Sequence, residues 1–396
     1  MPFTRGSCDS WEAREAGEAG EASMPATRRC LRCARRLGPR LGGLRYSTAM
    51  QPILTVTTPF FALVLLGYIA ARRHLLPASA IPGLNAYVLY FALPCMLFRF
   101  GASMPFAQLL DPALIGVYAA CALLLVALTV GVSMRGGVDL KNAAFGALVT
   151  AFPNSGFMGL PLIVALFGQA AAGPLMGTLL VDIFMTSTLC LGLAHLRGRR
   201  TGARGSDTDT DTDAGAGAST GIGTGAVAAA AAAVTGALRG AATNPQPWAI
   251  ALGALAGATS LSLPGPLAQV VKMLGDSASP VALFTIGTVL WRAGQHAHTQ
   301  TPVAQYLPLA LVKLFVHPLL VGAAGLAARA AGAALSDFAL MVIVLTAALP
   351  SASGVSLLAE RFGADNGRIA RIIMASTVLS FASFSVIAWG FGARIG

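Results

Sequence analysis

Charge is what this chain has least of. Asp, Glu, Lys and Arg make up 11% of its 396 residues, and acids are the scarcer sign, 16 against 27 bases. A soluble domain carries about a quarter of its residues charged, so a soluble globule is excluded. Although the net charge is +11, between the apolar runs the basic residues stand singly or in pairs and form no stripe, so no nucleic-acid partner is expected. Disulfide chemistry is lacking too. Of 6 cysteines, Cys95, Cys121 and Cys190 fall inside apolar runs and Cys8, Cys30 and Cys33 in the N-terminal segment, which is no disulfide framework. Cys30 and Cys33 have the spacing of half a zinc site, but no second Cys or His pair stands near them, and a closed site needs four ligands; no metal and no cofactor are expected. The sequence also lacks H-E-x-x-H, a P-loop, and any pair of acids or Ser/His pair on a broken helix, which leaves an intramembrane enzyme without its chemistry.

What the chain does have is apolar length: 55% of its residues are hydrophobic and 45 are glycine. The apolar residues fall in runs near the ~20 residues that cross a bilayer, at about 52–71, 80–100, 112–134, 142–167 and 173–196, then 247–262, 267–291, 304–328, 337–359 and 369–391. The fold class expected is all-α and polytopic, with ten transmembrane helices in two sets of five (50–196 and 247–396). Residues 1–49 hold nine arginines, five acids and no run able to cross; they read as a disordered tail, and Met50, directly before the first span, as the alternative start. Between the halves, 197–246 is rich in Gly, Ser, Thr and Asp and reads as a flexible linker. The alternating Asp207, Asp209, Asp211 and Asp213 lack the Gly and the Glu of a calcium loop. The alanine run at 226–234 should extend into a short interfacial helix that stops at Pro245.

The basic residues give an orientation. Arg72, Arg73, Arg135, Lys141, Arg197, Arg199, Arg200, Arg204, Arg239, Arg292, Arg361, Arg368 and Arg371 fall on one side of the ten-span layout, and Arg99, Arg329 and Arg394 on the other. Thirteen against three is a positive-inside bias that puts the linker in the cytoplasm and both termini outside an inner membrane. The arginines of the tail run against that rule, a second reason to set residues 1–49 apart.

Two spans carry helix breakers. The fourth reads FGALVTAFPNSGFMGLPLIVALFG, with Pro153, Gly156, Gly159 and Pro161 inside it; the ninth reads VLTAALPSASGVSLLAERFG, with Pro350 and Gly354. Proline removes a donor and clashes with the preceding turn, so both helices should break at membrane depth, where irregular backbone is tolerated only when buried in protein or lining a cavity. Pro153 and Pro350 lie 197 residues apart, and the spans opening each half 195 apart. An odd number of spans per half inverts the second relative to the first, and paired broken helices in inverted repeats point to a transport site at the bilayer midplane.

PNSGFMGLPL in the fourth span, ALPSASGVSLLAERFG in the ninth, NAYVLYFALPCMLF in the second and the TNP before the sixth resemble the auxin efflux carrier family over essentially all of residues 50–396. The resemblance implies a ten-helix transporter whose two broken helices cross, with a transport domain sliding against a scaffold, and bacterial members associated with malate, malonate and similar anions. Carried onto this chain, Pro153 and Pro350 mark the crossover and Asn154 is the polar residue beside it. The plant pattern has Asn in both broken helices; here the second is Ser351, which argues against auxin itself.

Apart from the resemblance, half-helix N-termini at a break suit a carboxylate, and no Lys or Arg lies within either break. Asn154, Ser155, Gly156, Ser351 and Ser353 are therefore the expected anion contacts, although Asn and Ser in helices often bond to neighbouring backbone instead. Ionisable residues elsewhere in spans are Asp182, Lys272, Asp276, Lys313 and His317. Asp182 either binds a proton or cation or bonds to nearby hydroxyls; Lys313 either joins a coupling site or snorkels to the surface, with His317 on its face at i+4. The expected function is a secondary carrier for a small organic anion. Its partners would be that anion, a coupling proton or sodium ion, the bilayer and a second copy of the chain as a homodimer. The alternative, a cation/proton antiporter on the same fold, wants carboxylates at the crossover, and none is there.

Overall fold

The computed structural model describes residues 45–104, 111–195, 244–295 and 301–392. The tail to residue 44, with Cys8, Cys30 and Cys33, and nearly all of the linker, with its aspartates and alanine run, lie outside the described residues. Within them every regular element is a helix, as a chain that must satisfy its backbone without water requires.

In chain order the helices are α1 (Arg45–Arg72), α2 (Ala80–Ala102), α3 (Pro112–Arg135), α4 (Leu140–Ala151), α5 (Ser155–Phe167), α6 (Gln169–Ala194), α7 (Pro245–Ala258), α8 (Gly265–Gln295), α9 (Val303–Ala330), α10 (Asp337–Ala347), α11 (Gly354–Arg361) and α12 (Asn366–Gly392). Seven of them, α1, α2, α3, α6, α8, α9 and α12, are long and apolar enough to cross a membrane. The expected fourth span resolves into α4 and α5, and the expected ninth into α10 and α11. The expected sixth is α7, only 14 residues long and ended by Ser260 at φ 53°, a left-handed conformation that does not continue a helix.

Several starts are written locally. Asp111 accepts from the Ala113 and Leu114 N–H groups (2.9 and 3.2 Å), Asp139 from Asn142 N–H (3.2 Å), Asn244 from Gln246 N–H (3.0 Å) and Ser336 from Ala339 N–H (3.1 Å). Each satisfies a donor that the helix leaves free at its first turn.

Packing falls into two groups. In one, α2 lies along α7 and α8; in the other, α3 packs on α4, α6 and α9, while α9 packs on α10 and α12. Helices meet closely in the first group because their contact residues are glycine. A Cβ on Gly253 would lie 2.3 Å from the Phe98 carbonyl oxygen, and one on Gly257 2.6 Å from that of Ala102. These two glycines are a GxxxG pair, which lets helix backbones approach in a medium that provides no hydrophobic drive between helices. Gly67 of α1 and Gly287 of α8 meet in the same way, against the carbonyls of Phe284 and Val64. Outward-facing Leu65, Leu128, Val132, Leu252, Leu319 and Val378 are exposed, as suits a surface wetted by lipid.

The polar contacts sort by helix end. Lys141 donates to Gly363 O (2.7 Å), Asp365 N–H to Asn142 (2.8 Å), Arg371 to Thr301 O (2.7 Å), and Arg292 pairs with Glu360 (3.4 Å). Some sixteen residues earlier on α8, about 24 Å along the axis at 1.5 Å per residue, Asp276 pairs with Arg99 (2.5 Å) and Lys272 (2.8 Å). All three are exposed, so Lys272 and Asp276 belong to an ion-pair group with Arg99 at the bundle's margin.

Candidate functional site

The two interrupted helices meet at their breaks. After α4 the chain turns extended at Phe152 (ψ 103°) because Pro153 cannot continue the ladder. The freed backbone groups are taken up by the other break: Asn154 N–H donates to Pro350 O (2.8 Å) and Ala352 N–H to Phe152 O (3.0 Å), an antiparallel bridge pairing Pro153 with Ser351. Each break thus supplies the partners that the other has lost. The approach depends on Gly159, where a Cβ would fall 2.4 Å from the Leu349 side chain.

Asn154, Ser155, Gly156, Ser351 and Ser353 are brought together here and all are buried. The Asn154 carbonyl accepts from the Met158 and Gly159 N–H groups (3.2 and 2.9 Å), the second of which widens the first turn of α5 into a π-turn over Ser155–Gly159. The Asn154 side-chain amide makes no hydrogen bond within the described residues, and the Ser155 and Ser351 hydroxyls are buried without a partner there. Unpaired buried hydroxyls are uncommon, and each costs about 1–3 kcal/mol. Three side chains capable of hydrogen bonding therefore stand unused at one place. Gly156 faces Leu93 of α2. Of the expected helix breakers, Pro153 and Pro350 sit in the breaks, Gly354 opens α11, and Pro161 follows directly on the π-turn within α5.

One contributor went unread in the sequence. Ser376 of α12 accepts the Ser351 N–H (3.2 Å) and donates to Ile373 O (3.0 Å), which pins the second break to α12. Its signal was there: Ser376, Ser380 and Ser383 recur at helical spacing in an otherwise apolar span.

A second buried polar cluster lies between α3, α6, α9 and the end of α10. Asp182 accepts from the Tyr118 hydroxyl (3.1 Å) and the Thr186 hydroxyl (3.3 Å), and its carbonyl accepts from Ser187 (3.0 Å). The Tyr118 ring lies 5.9 Å from that of His317. His317 Nδ1 is 3.0 Å from Lys313 Nζ, which donates to Ala347 O at 2.7 Å. Tyr118, Asp182, Lys313 and His317 each have 0% exposure, so Lys313 does not reach for the surface. Asp182 and Lys313 both sit in π-turns, Asp182–Thr186 and Val312–Val316, single-turn distortions frequent at functional sites. The two do not form a direct ion pair within 4.0 Å.

Among the described residues the structure is all-helical, with seven helices long and apolar enough to cross a membrane and buried polar groups gathered at paired helix breaks. The family model described as "Membrane transport protein" matches residues 52–388, and the chain belongs to that family, the auxin efflux carrier type of membrane transport protein. It is 26% identical over 336 residues, 84% of this chain and 94% of the relative, to a protein of Rhizobium meliloti named "Putative malonate transporter". It is 25% identical over 337 residues, 82% of this chain and 92% of the relative, to the "Uncharacterized transporter YfdV" of Escherichia coli K12, and equally to that of Shigella flexneri.

Proposed function

We propose that this transporter is a secondary carrier that moves a small organic anion, a carboxylate of the malate or malonate kind, across the cytoplasmic membrane by alternating access, and that the anion binds at the crossover. The observation that carries this reading is the unused hydrogen-bonding set of Asn154, Ser155 and Ser351 beside the N-terminus of α5. Free N–H groups and the positive end of the helix dipole stabilise a carboxylate there without a basic side chain. In this reading α4 with α5 and α10 with α11 each count as one crossing. Together with α7 and the seven long helices they make ten crossings in two inverted repeats, and the group containing α3 to α6 and α9 to α12 slides against the group containing α1, α2, α7 and α8. The name of the Rhizobium meliloti relative supports a dicarboxylate.

Uptake by proteoliposomes of radiolabelled malonate, malate and monocarboxylates tests this directly. Saturable uptake of one of them supports the carrier, and no uptake of any carboxylate rules the substrate class out. Ser351→Ala should lower affinity for the transported anion several-fold, less than loss of Asn154 does, because a hydroxyl offers one donor where an amide offers two and an acceptor. Ser351→Asn should change the order of preference among the same anions while folding normally. An unchanged order would remove Ser351 from the site.

The loop charges also set a facing, with 197–246 in the cytoplasm and the C-terminus outside. In a cysteine-free variant, Ser219→Cys should resist an impermeant maleimide in intact cells and Gly396→Cys should react. The reverse pattern inverts the topology.

A further inference from the structure

We propose that Asp182, Tyr118, Lys313 and His317 form a proton-binding site that couples the anion carrier to the proton gradient, and that Lys313 passes its state to the crossover through the Ala347 carbonyl. This rests on the carrier reading above and adds to it the coupling ion and the residues that hold it.

The first ground is that the cluster is ionisable and dry. A carboxyl, a phenol, an imidazole and an amine, all at 0% exposure, stand between helices whose other contacts here are apolar: Val181, Val321, Ile343, Val344 and Ala347. Asp182 and Lys313 each have hydrogen-bond partners, but a purely structural pair would also bring the two opposite charges together, and this cluster does not. The carboxylate and the amine are not in ion-pair contact, and His317 Nε2 is buried without a partner among the described residues. Burying charge is costly unless it is closely paired, so the net charge of such a site is kept low by gain or loss of a proton.

The ligands present also decide between ions. A hard metal cation is held by a shell of about six oxygens. Here the side-chain oxygens are one carboxylate, the Thr186 hydroxyl and the Tyr118 hydroxyl, the Ala347 carbonyl is taken by Lys313, and the remaining side-chain groups are nitrogen, including an amine that would repel a cation. A proton needs a single lone pair, and the cluster offers several.

The neighbouring helices contribute nothing that competes. Around the group, α3 presents Tyr118 and Cys121, whose thiol lies 3.7 Å from Leu320 O; α6 presents Asp182 with Thr186 and Ser187; α9 presents Lys313 and His317; and α10 contributes the Ala347 carbonyl, its buried Thr346 hydroxyl being bonded back to Val342 O (2.8 Å). The charged residues of α4 and α12, which also touch the Val312–Val316 turn, bond to backbone elsewhere: Lys141 to Gly363 O, Arg368 through Nε to Gln305 O, with its Nη1 buried and without a partner among the described residues, and Arg371 to Thr301 O.

The link to transport is Ala347, the last residue of α10. Its carbonyl is one of those that a helix C-terminus leaves unsatisfied, at the negative end of the dipole. Lys313 fills that position, three residues before Pro350. An ammonium there is favoured by the dipole and a neutral amine is not, so a proton gained or lost by the cluster changes how firmly the end of α10, and the break that follows it, is held. Carrying a proton with the anion also removes one unit of the charge moved against a negative interior.

The test uses the full-length chain in proteoliposomes, with radiolabelled malonate as probe and two readouts. In the first, malonate exchange at equal pH is compared with accumulation driven by an imposed pH gradient. Asp182→Asn and Lys313→Met should lower the ratio of gradient-driven accumulation to exchange at equal pH at least tenfold relative to the parent, while Asp182→Glu restores part of that ratio. Parent protein that exchanges malonate but ignores the pH gradient, or variants that accumulate it as well as the parent, would overturn the proposal. The second readout needs no substrate. Infrared difference spectra from about pH 5 to about pH 9, the range over which buried carboxyls and amines are known to titrate, should contain a protonated-carboxyl band that disappears in Asp182→Asn. A spectrum without a titrating carboxyl band overturns the proton site even if no carboxylate is carried. A titrating band without malonate exchange supports the proton site while removing malonate from the proposed function.

Discussion

Asn154→Ala should abolish measurable anion transport while the protein inserts and folds as before. The two halves of this expectation come from different atoms. The fold depends on the backbone of Asn154, whose N–H is held by Pro350 O and whose carbonyl caps the Met158 and Gly159 N–H groups. Alanine keeps both, and its φ of −78° suits any L-residue. The side-chain amide has no hydrogen bond within the described residues to lose, so the change in stability should stay below about 1 kcal/mol, a shift in thermal midpoint of no more than about 4 °C. A hydrogen bond to a charged ligand, by contrast, contributes about 1.5–3 kcal/mol, tenfold to over a hundredfold in affinity, and the loss at low substrate would remove transport from view. The measurements are initial uptake of the identified anion and thermal midpoint of the purified protein. Normal uptake by Asn154→Ala would make the crossover architectural and move the search for the anion elsewhere. A large loss of midpoint would mean that the amide had a structural task that its unpaired state does not show.

The breaks were legible because their cause is covalent. Proline at 153 and 350 inside apolar runs interrupts a helix whatever its surroundings, and Asn154 could be picked out as the polar residue beside such an interruption. What a single sequence could not give was the manner in which the freed backbone is satisfied, since the pairing of Phe152 to Asn154 with Pro350 to Ala352 joins segments almost two hundred residues apart. The same limit applied to the second cluster. Asp182 and Lys313 were visible as costly residues in spans, but nothing in the sequence singles out Tyr118, and snorkelling was an open reading for Lys313. A π-turn over Val312–Val316 shifts the helical register locally, and the amine then sits at Ala347 instead of at the surface. The close glycine contacts went unread for a different reason. Among 45 glycines, those at 67, 253, 257 and 287 differ from the rest only in what faces them.

Gly287→Ala should be, with Gly67→Ala, among the most damaging glycine-to-alanine changes within the described residues. Its Cβ would lie 2.0 Å from the Val64 carbonyl oxygen and 2.6 Å from the Tyr68 nitrogen. Both are backbone atoms of α1, so no rotamer change relieves the clash and the helices must part. Gly67, across the same seam, leaves no slack, because its own Cβ position is 2.0 Å from the Phe284 carbonyl oxygen. Overpacking of this kind costs about 1–3 kcal/mol and sometimes more, here with the added loss of the close contact that stands in for a hydrophobic drive within lipid. The expected result is a fall in thermal midpoint of roughly 5 °C or more in detergent and a matching loss of protein from the membrane. Gly131→Ala in α3, where nothing lies within 4 Å of the new Cβ, is the control and should be neutral or slightly stabilising, since alanine is the better helix former. If Gly287→Ala matched that control, α1 and α8 would not be in contact at this seam, and the group containing α1, α2, α7 and α8 could not be the fixed frame against which the crossover moves.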